Sequence, residues 1–131
     1  MTHFEKVKDY IMNLGCNIVS ENAAEDILII ENRDEGIVNM IVDIEEPILI
    51  LEQLICEVPN GLPEASMRTL LQMNRNLIHG AFALDESAQR VIFRDTLQIE
   101  NLDANEIEGS INSLSLALVE NSNKLLSIAK N

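Results

Sequence analysis

The stretch "MNRNLIHGAFALDE", residues 73–86, sets two asparagines, a histidine and a glycine between an apolar run and a strand-like segment. Whether it is an active site or a joint decides how the chain is read. Upstream, "NGLPEAS" has the form of a helix start. Pro63 stands where its missing amide costs nothing, and Glu64 lies near the positive end of the helix dipole. Met67, Leu70, Leu71, Leu77 and Ile78 then form one apolar stripe, and Asn74 falls on it. Downstream of His79 and Gly80, "AFALDE" and "RVIFRDTLQI" alternate with period two, and "DESAQ" supplies the turn of an antiparallel hairpin. A carboxamide on an apolar stripe must find partners, so Asn74 is expected to bond free backbone groups where the helix ends and the strand 81–85 begins. Asn74 and Gly80 thus read as a structural joint rather than as chemistry.

The remaining segments extend this pattern. "THFE" at residues 2–5 is a capping box, followed by Phe4, Val7, Ile11 and Leu14 at helical spacing and by Gly15 as a stop. Between Cys16 and Val58 come four Ile/Val/Leu-rich runs, "NIVS", "DILIIE", "GIVNMIVDI" and "PILILEQLICEV", separated by polar turns. In the third, Val38, Met40, Val42 and Ile44 are expected on one face and Ile37, Asn39, Ile41 and Asp43 on the other, which leaves a fairly apolar second face needing cover. In the second hairpin strand Val91, Phe93, Leu97 and Ile99 share a face that Asp95 interrupts. The final helix starts at Asp103 as N-cap with Glu106 three residues on and Leu102 and Ile107 as a staple. Ile107, Ile111, Leu114, Leu118 and Leu125 carry its stripe over about six or seven turns. The order helix, three or four strands, helix, two strands, helix predicts an α+β fold, an antiparallel sheet with helices packed on it, as a single domain over residues 1–131.

Composition narrows the function. A net charge of -13, with nine basic residues against twenty-two acids, argues against nucleic acid and anionic membranes as partners. The N-terminus lacks the features of a secretory signal and no apolar run is long enough to span a bilayer, so a soluble cytoplasmic protein is expected. Cys16 and Cys56 stand apart among apolar neighbours and read as buried free thiols. His3 and His79 have no ligand partner at metal spacing, the acidic run Asp43–Glu46 lacks the pattern of a calcium loop, and the five glycines form no phosphate cradle. No catalytic, cofactor or metal site emerges, and the chain reads as non-enzymatic.

Residues 70–118 resemble the shared pattern of bacterial type III secretion chaperones of the Tir-chaperone kind and of the related YbjN-like proteins. The positions that carry the likeness are Asn74, Gly80, Leu84, Asp85, Val91, Phe93, Leu97, Leu102 and Glu106. The resemblance implies a small sheet with helices on it and no cofactor. It also implies a homodimer whose interface involves residues 63–78 and 80–85, here Met67, Leu70, Leu71, Asn74, Leu77, Ile78, Ala81 and Ala83. It further implies a protein or peptide partner, such as a secreted effector, held against apolar patches and sheet edges. The alternative is a YbjN-like regulatory or accessory protein acting through folded complexes.

Overall fold

A computed structural model describes residues 1–130 of the chain. Its first helix, α1 (His3–Asn13), begins at the capping box: the Glu5 amide donates to Thr2 Oγ1 at 3.1 Å, and the Thr2 amide donates to Glu5 Oε2 at 2.9 Å. Phe4, Val7 and Ile11 are its buried stripe. Four strands follow, β1 (Asn17–Asn22), β2 (Ile27–Asn32), β3 (Ile37–Glu45) and β4 (Ile48–Glu57), then helix α2 (Glu64–Asn74), the hairpin β5 (Ala81–Leu84) and β6 (Arg90–Gln98), and helices α3 (Ala104–Glu120) and α4 (Ser122–Ala129). All strands pair antiparallel in one sheet of order β1-β2-β3-β4-β6-β5. The α+β class and the order of elements agree with the sequence reading, and the optional fourth strand is present.

The sheet has two unlike faces. On the inner one Leu28, Ile30, Met40, Val42, Leu49, Leu51, Val91 and Phe93 are all fully buried. They join the buried residues of all four helices, among them Ile11, Leu70, Ile107, Leu114 and Ile128, in a single core. On the outer one, alternate residues of the same strands, such as Ile29, Ile50 and Ile92, are only half-buried, and Leu54 is exposed. The helices therefore form one layer and the sheet the other.

Two expectations are corrected. The first is the side-chain alternation along β3. Ile30 pairs with Met40 but Asn32 with Ile37, so β3 holds one residue more than β2 across that interval. Asn39 absorbs it at φ 50°, in the left-handed region that Asn tolerates better than most residues. Beyond this bulge the faces exchange: Ile37, assigned to the outer face with Ile41, lies fully buried, while Val38 is half-exposed. The Gln53 side chain repairs the broken ladder, donating to Gly36 O at 3.0 Å and accepting from the Val38 amide at 3.1 Å. The second is the final helix, which is not continuous. It breaks at Asn121, whose amide N–H and side-chain Nδ2 both donate to Ala117 O at 3.0 Å, and α4 leaves from there. The break lets Leu125 and Ile128 reach the core.

Asp95, which interrupts an apolar face in sequence, lies opposite the buried Leu51 on the helical side. Ser110 of α3, itself fully buried, donates to its Oδ2 at 2.6 Å, so the carboxylate becomes a strut between sheet and helix. Gly80 precedes β5 at φ 72°, and a Cβ there would stand 2.5 Å from Phe93 Cζ and 3.0 Å from Arg94 O. The Phe93 ring in turn meets Phe82 edge-on, with centroids 6.4 Å apart. Because both the backbone angle and the close approach exclude a side chain, Gly80→Ala is expected to cost about 2 kcal/mol or more. Urea unfolding of the two proteins measures it.

Candidate protein-binding surfaces

The joint quoted at the outset is built from backbone groups. Phe82 Nα–H donates to Asn74 Oδ1 at 2.7 Å, and Asn74 Nδ2 donates to Phe82 O at 3.0 Å. Phe82 sits on β5, the edge strand, and points both groups away from β6. The carboxamide thus takes the place of a neighbouring strand for one residue and covers that part of the edge. The loop after α2 is pinned a second time by Ser113 of α3, whose Oγ accepts from the His79 amide at 3.0 Å and donates to His79 O at 2.7 Å. The His79 ring lies against Gly109, where a Cβ would come within 3.2 Å of it.

Around this joint α2 divides its stripe. Ser66, Leu70 and Met73 face the core, with Leu70 only 5% exposed. Met67 and Leu71, displaced by about 100° around the helix, face outward and are 43% and 71% exposed. Ile78, in the loop beyond, is 72% exposed, whereas Asn74 and Leu77 are half-buried. Leu70 is thus unavailable as a surface contact, because its helical angle turns it into the core. Glu64, Arg68, Gln72 and Arg75 frame Met67 and Leu71 in a shallow groove, and Arg68 holds Glu64 at 3.2 Å. Ala81 and Ala83, also named as contact residues, lie half-buried on the outer sheet face, opposite Arg94 and Ile92.

That outer face is a second surface. Cross-strand register aligns Ile29, Ile41, Glu52, Arg94 and Ala81 in one row, and Ile27, Asp43, Ile50 and Thr96 in the next. Leu54, Ile92 and Ala83 form a third row, beside a concavity of about 590 Å³ that Glu52, Arg90 and Arg94 also line. Its arginines are engaged: Arg94 with Glu52 at 3.1 Å, Arg90 with Asp85 at 3.5 Å and Glu57 at 3.6 Å. The sequence carried a trace of this surface in the alternation of β3, but the intended cover, the helices, all went to the opposite side.

Four ionisable groups are displaced in instructive ways. Desolvation raises the Asp43 carboxyl above its ordinary value, and the neighbouring Glu45 and Asp26 add to the rise while Arg94 opposes it. Asp43 Oδ1 is buried, and no hydrogen-bond partner reaches it among the described residues. Desolvation also acts on Asp85, but donation from Ser87, from the Arg90 and Gln89 amides and the Arg90 charge outweigh it and hold that carboxyl low. Burial raises the thiol of Cys16, which is unpaired, as is Cys56, so neither has the low pKa of a reactive cysteine. Among the described residues no group of three or more His, Cys, Asp or Glu side chains is placed to hold a metal ion, and no helix is long and apolar enough to cross a membrane.

A two-layer α+β domain whose accessible features are apolar faces, one on a helix and one on a sheet, is a protein-binding architecture. The chain belongs to the type III secretion chaperone family: the family model CesT_Tir_1 matches residues 1–131. No curated protein shows a significant sequence match. Among solved structures, the fold is similar to YbjN from E. coli, with a TM-score of 0.62 at 10% identity over 92% of this chain and 91% of that one. It is similar to the HopA1–SchA chaperone–effector complex, with a TM-score of 0.59 at 15% identity over 87% and 90%. It is also similar to the Yersinia pestis type III secretion chaperone SycH in complex with a fragment of YscM2, with a TM-score of 0.53 at 14% identity over 97% and 99%.

Two stability measurements test the geometry. Asn74→Ala strands the Phe82 amide and carbonyl, so Tm should fall by roughly 6–10 °C, corresponding to about 2 kcal/mol, with secondary structure retained. Asp43→Asn should act in the opposite sense. The raised folded-state value means that ionising Asp43 costs more in the folded chain than in the unfolded one. Wild type therefore loses stability as pH climbs from the ordinary aspartate value through the raised one. The variant should melt higher than wild type at neutral pH, and the gap should close in acid; calorimetry across pH checks this.

Proposed function

We propose that the chain is a non-enzymatic chaperone-like protein, a single domain over residues 1–131, that works in the cytoplasm as a homodimer and holds a polypeptide partner of the secreted-effector class. The observation that carries this reading is the family match across the whole chain. Two of the similar folds, SchA and SycH, were solved in complex with an effector or a partner fragment, which supports a polypeptide as the ligand. The outward side chains of α2, Met67 and Leu71, together with Ile78, support a contact between copies along residues 63–78. Two-fold pairing of α2 with its copy buries these side chains at no cost to the core, which uses Ser66, Leu70 and Met73.

A second reading, a YbjN-like accessory protein acting through folded complexes, is favoured by the resemblance of the whole fold to YbjN. The state of the captured partner separates the two. An extended, protease-sensitive partner co-purified from the native host supports the escort role, and a folded one supports the accessory role. A strictly monomeric chain that retains no polypeptide contradicts both.

Leu71→Glu places a charge on the α2 groove without touching the core. It should raise the dimer dissociation constant by about tenfold or more while Tm of the protomer stays within a few degrees. Light scattering coupled to gel filtration over a concentration series reads the outcome.

A further inference from the structure

The sheet ends in two edge strands, β1 and β5, and they are protected by different means. β1 carries Glu21, paired with Lys8 at 3.0 Å, and its register against β2 slips between Ile18 and Ser20, so a charge and an irregularity both discourage a further strand. β5 has neither: Ala81–Leu84 is uncharged and pairs with β6 without interruption. What covers it is Asn74, which accepts from the Phe82 N–H at 2.7 Å and donates to the Phe82 carbonyl at 3.0 Å. The Asp85 amide donates to Arg90 O at 3.1 Å, which sets the phase of the ladder: Ala81 and Ala83 bond to β6, while Phe82 and Leu84 face outward. The outward N–H and C=O of Leu84 meet no partner among the described residues.

Without that cover the edge is self-complementary. Two copies of β5 laid antiparallel about a two-fold axis at Ala83 set Phe82 of one opposite Leu84 of the other, and each such pair exchanges two N–H···O bonds. Ala83 then faces its own copy in the closer, non-hydrogen-bonded position, where a methyl group leaves room. Asp85 falls opposite Ala81, so this carboxylate does not meet its own copy. Asn74 is the last residue of α2, so the turn that holds it can give way while Ser66, Leu70 and Met73 stay in the core.

We propose that Asn74 is an edge guard: it keeps β5 closed to strand addition, and without it β5 pairs with the β5 of a second copy and runs two sheets into one. A carboxamide at the end of a helix does at this edge what a charge and a bulge do at β1. The inference stands on the hydrogen bonds of the edge and is independent of the homodimer read from the outer flank of α2.

The test compares wild type with Asn74→Ala, Asn74→Asp, Ser110→Ala and the double variant Asn74→Ala/Leu84→Pro. Sedimentation velocity over a concentration series reads association relative to wild type, and circular dichroism reads the fold. Asn74→Ala should gain an association step that wild type lacks, and its Leu84 amide should exchange about tenfold more slowly by NMR once paired. Asn74→Asp still accepts from the Phe82 N–H and stands in if Asn74→Ala fails to fold; it should gain the same step at about tenfold lower affinity. Leu84→Pro removes an N–H that makes no bond within the chain, so the double variant should return to the wild-type state. Ser110→Ala loses the strut to Asp95 but keeps Asn74, and should associate no more than wild type, which separates lost cover from lost stability. Wild-type association in folded Asn74 variants overturns the proposal. So does association that Leu84→Pro leaves intact, or an equal gain in Ser110→Ala.

Discussion

All the helices of this chain cover one face of its six-stranded sheet, and most of what is distinctive about the molecule follows from that one-sided cover. The inner face is built as a core, with Ile, Leu, Val and Phe at zero or near-zero exposure against α1, α3 and α4. The outer face keeps the β-branched composition of a buried sheet without a layer upon it. Isoleucines at 27, 29, 41, 50 and 92 there shield one another only in part. A two-layer domain of this kind draws its stability from the inner face, where apolar area removed from water contributes roughly 25 cal/mol per Å². It is also incomplete in a chemical sense, since the exposed apolar surface stays available to a partner.

Two carboxamides manage the backbone where the sheet is irregular. Asn74 pairs with both polar groups of Phe82 at the β5 edge, and Gln53 pairs with Gly36 O and the Val38 amide at the β3 bulge. Each supplies one donor and one acceptor in the geometry of a missing strand residue, which no hydroxyl or carboxylate offers in fixed form. Asn74 additionally ties α2 to the sheet, so the orientation of the outward pair Met67 and Leu71 depends on a bond made one to two turns further along the same helix. The outward surface of α2 is in this way set by contacts with the sheet.

Features written locally were legible in the sequence. The capping box at Thr2, the hairpin at 81–98, the N-cap at Asp103 and the partner-seeking character of Asn74 each follow from residues a few positions apart. Features that depend on distant contacts were not. The bulge at Asn39 exchanges the faces of β3 because β2 and Gln53 of β4 make room for an extra residue, and nothing in "GIVNMIVDI" announces it. The helix break at Asn121 is carried by a residue whose helix preference is only mildly poor, and burial of Leu125 and Ile128 is what the break achieves. The stripe on α2 is one band in projection, yet the helix is packed on one flank only, so Leu70 and Leu71 part company. Asp95 looked like an interruption because Ser110, its partner, is fifteen residues away on another element.

This chain leaves apolar surface exposed in two places, the outer flank of α2 and the bare face of the sheet. Both are backed by the same core. The raised Asp43 carboxyl fits this picture as a group kept at some cost to the free protein. Hydroxyl-radical footprinting of the chain alone and in complex with the polypeptide it retains from its native host tests this two-surface account most directly. Met67, Leu71, Ile41 and Leu54 should lose reactivity in the complex while Met12 on α1 and Leu126 on α4 keep theirs. Protection confined to α1 and α4, with the four side chains as reactive as in the free chain, would contradict it.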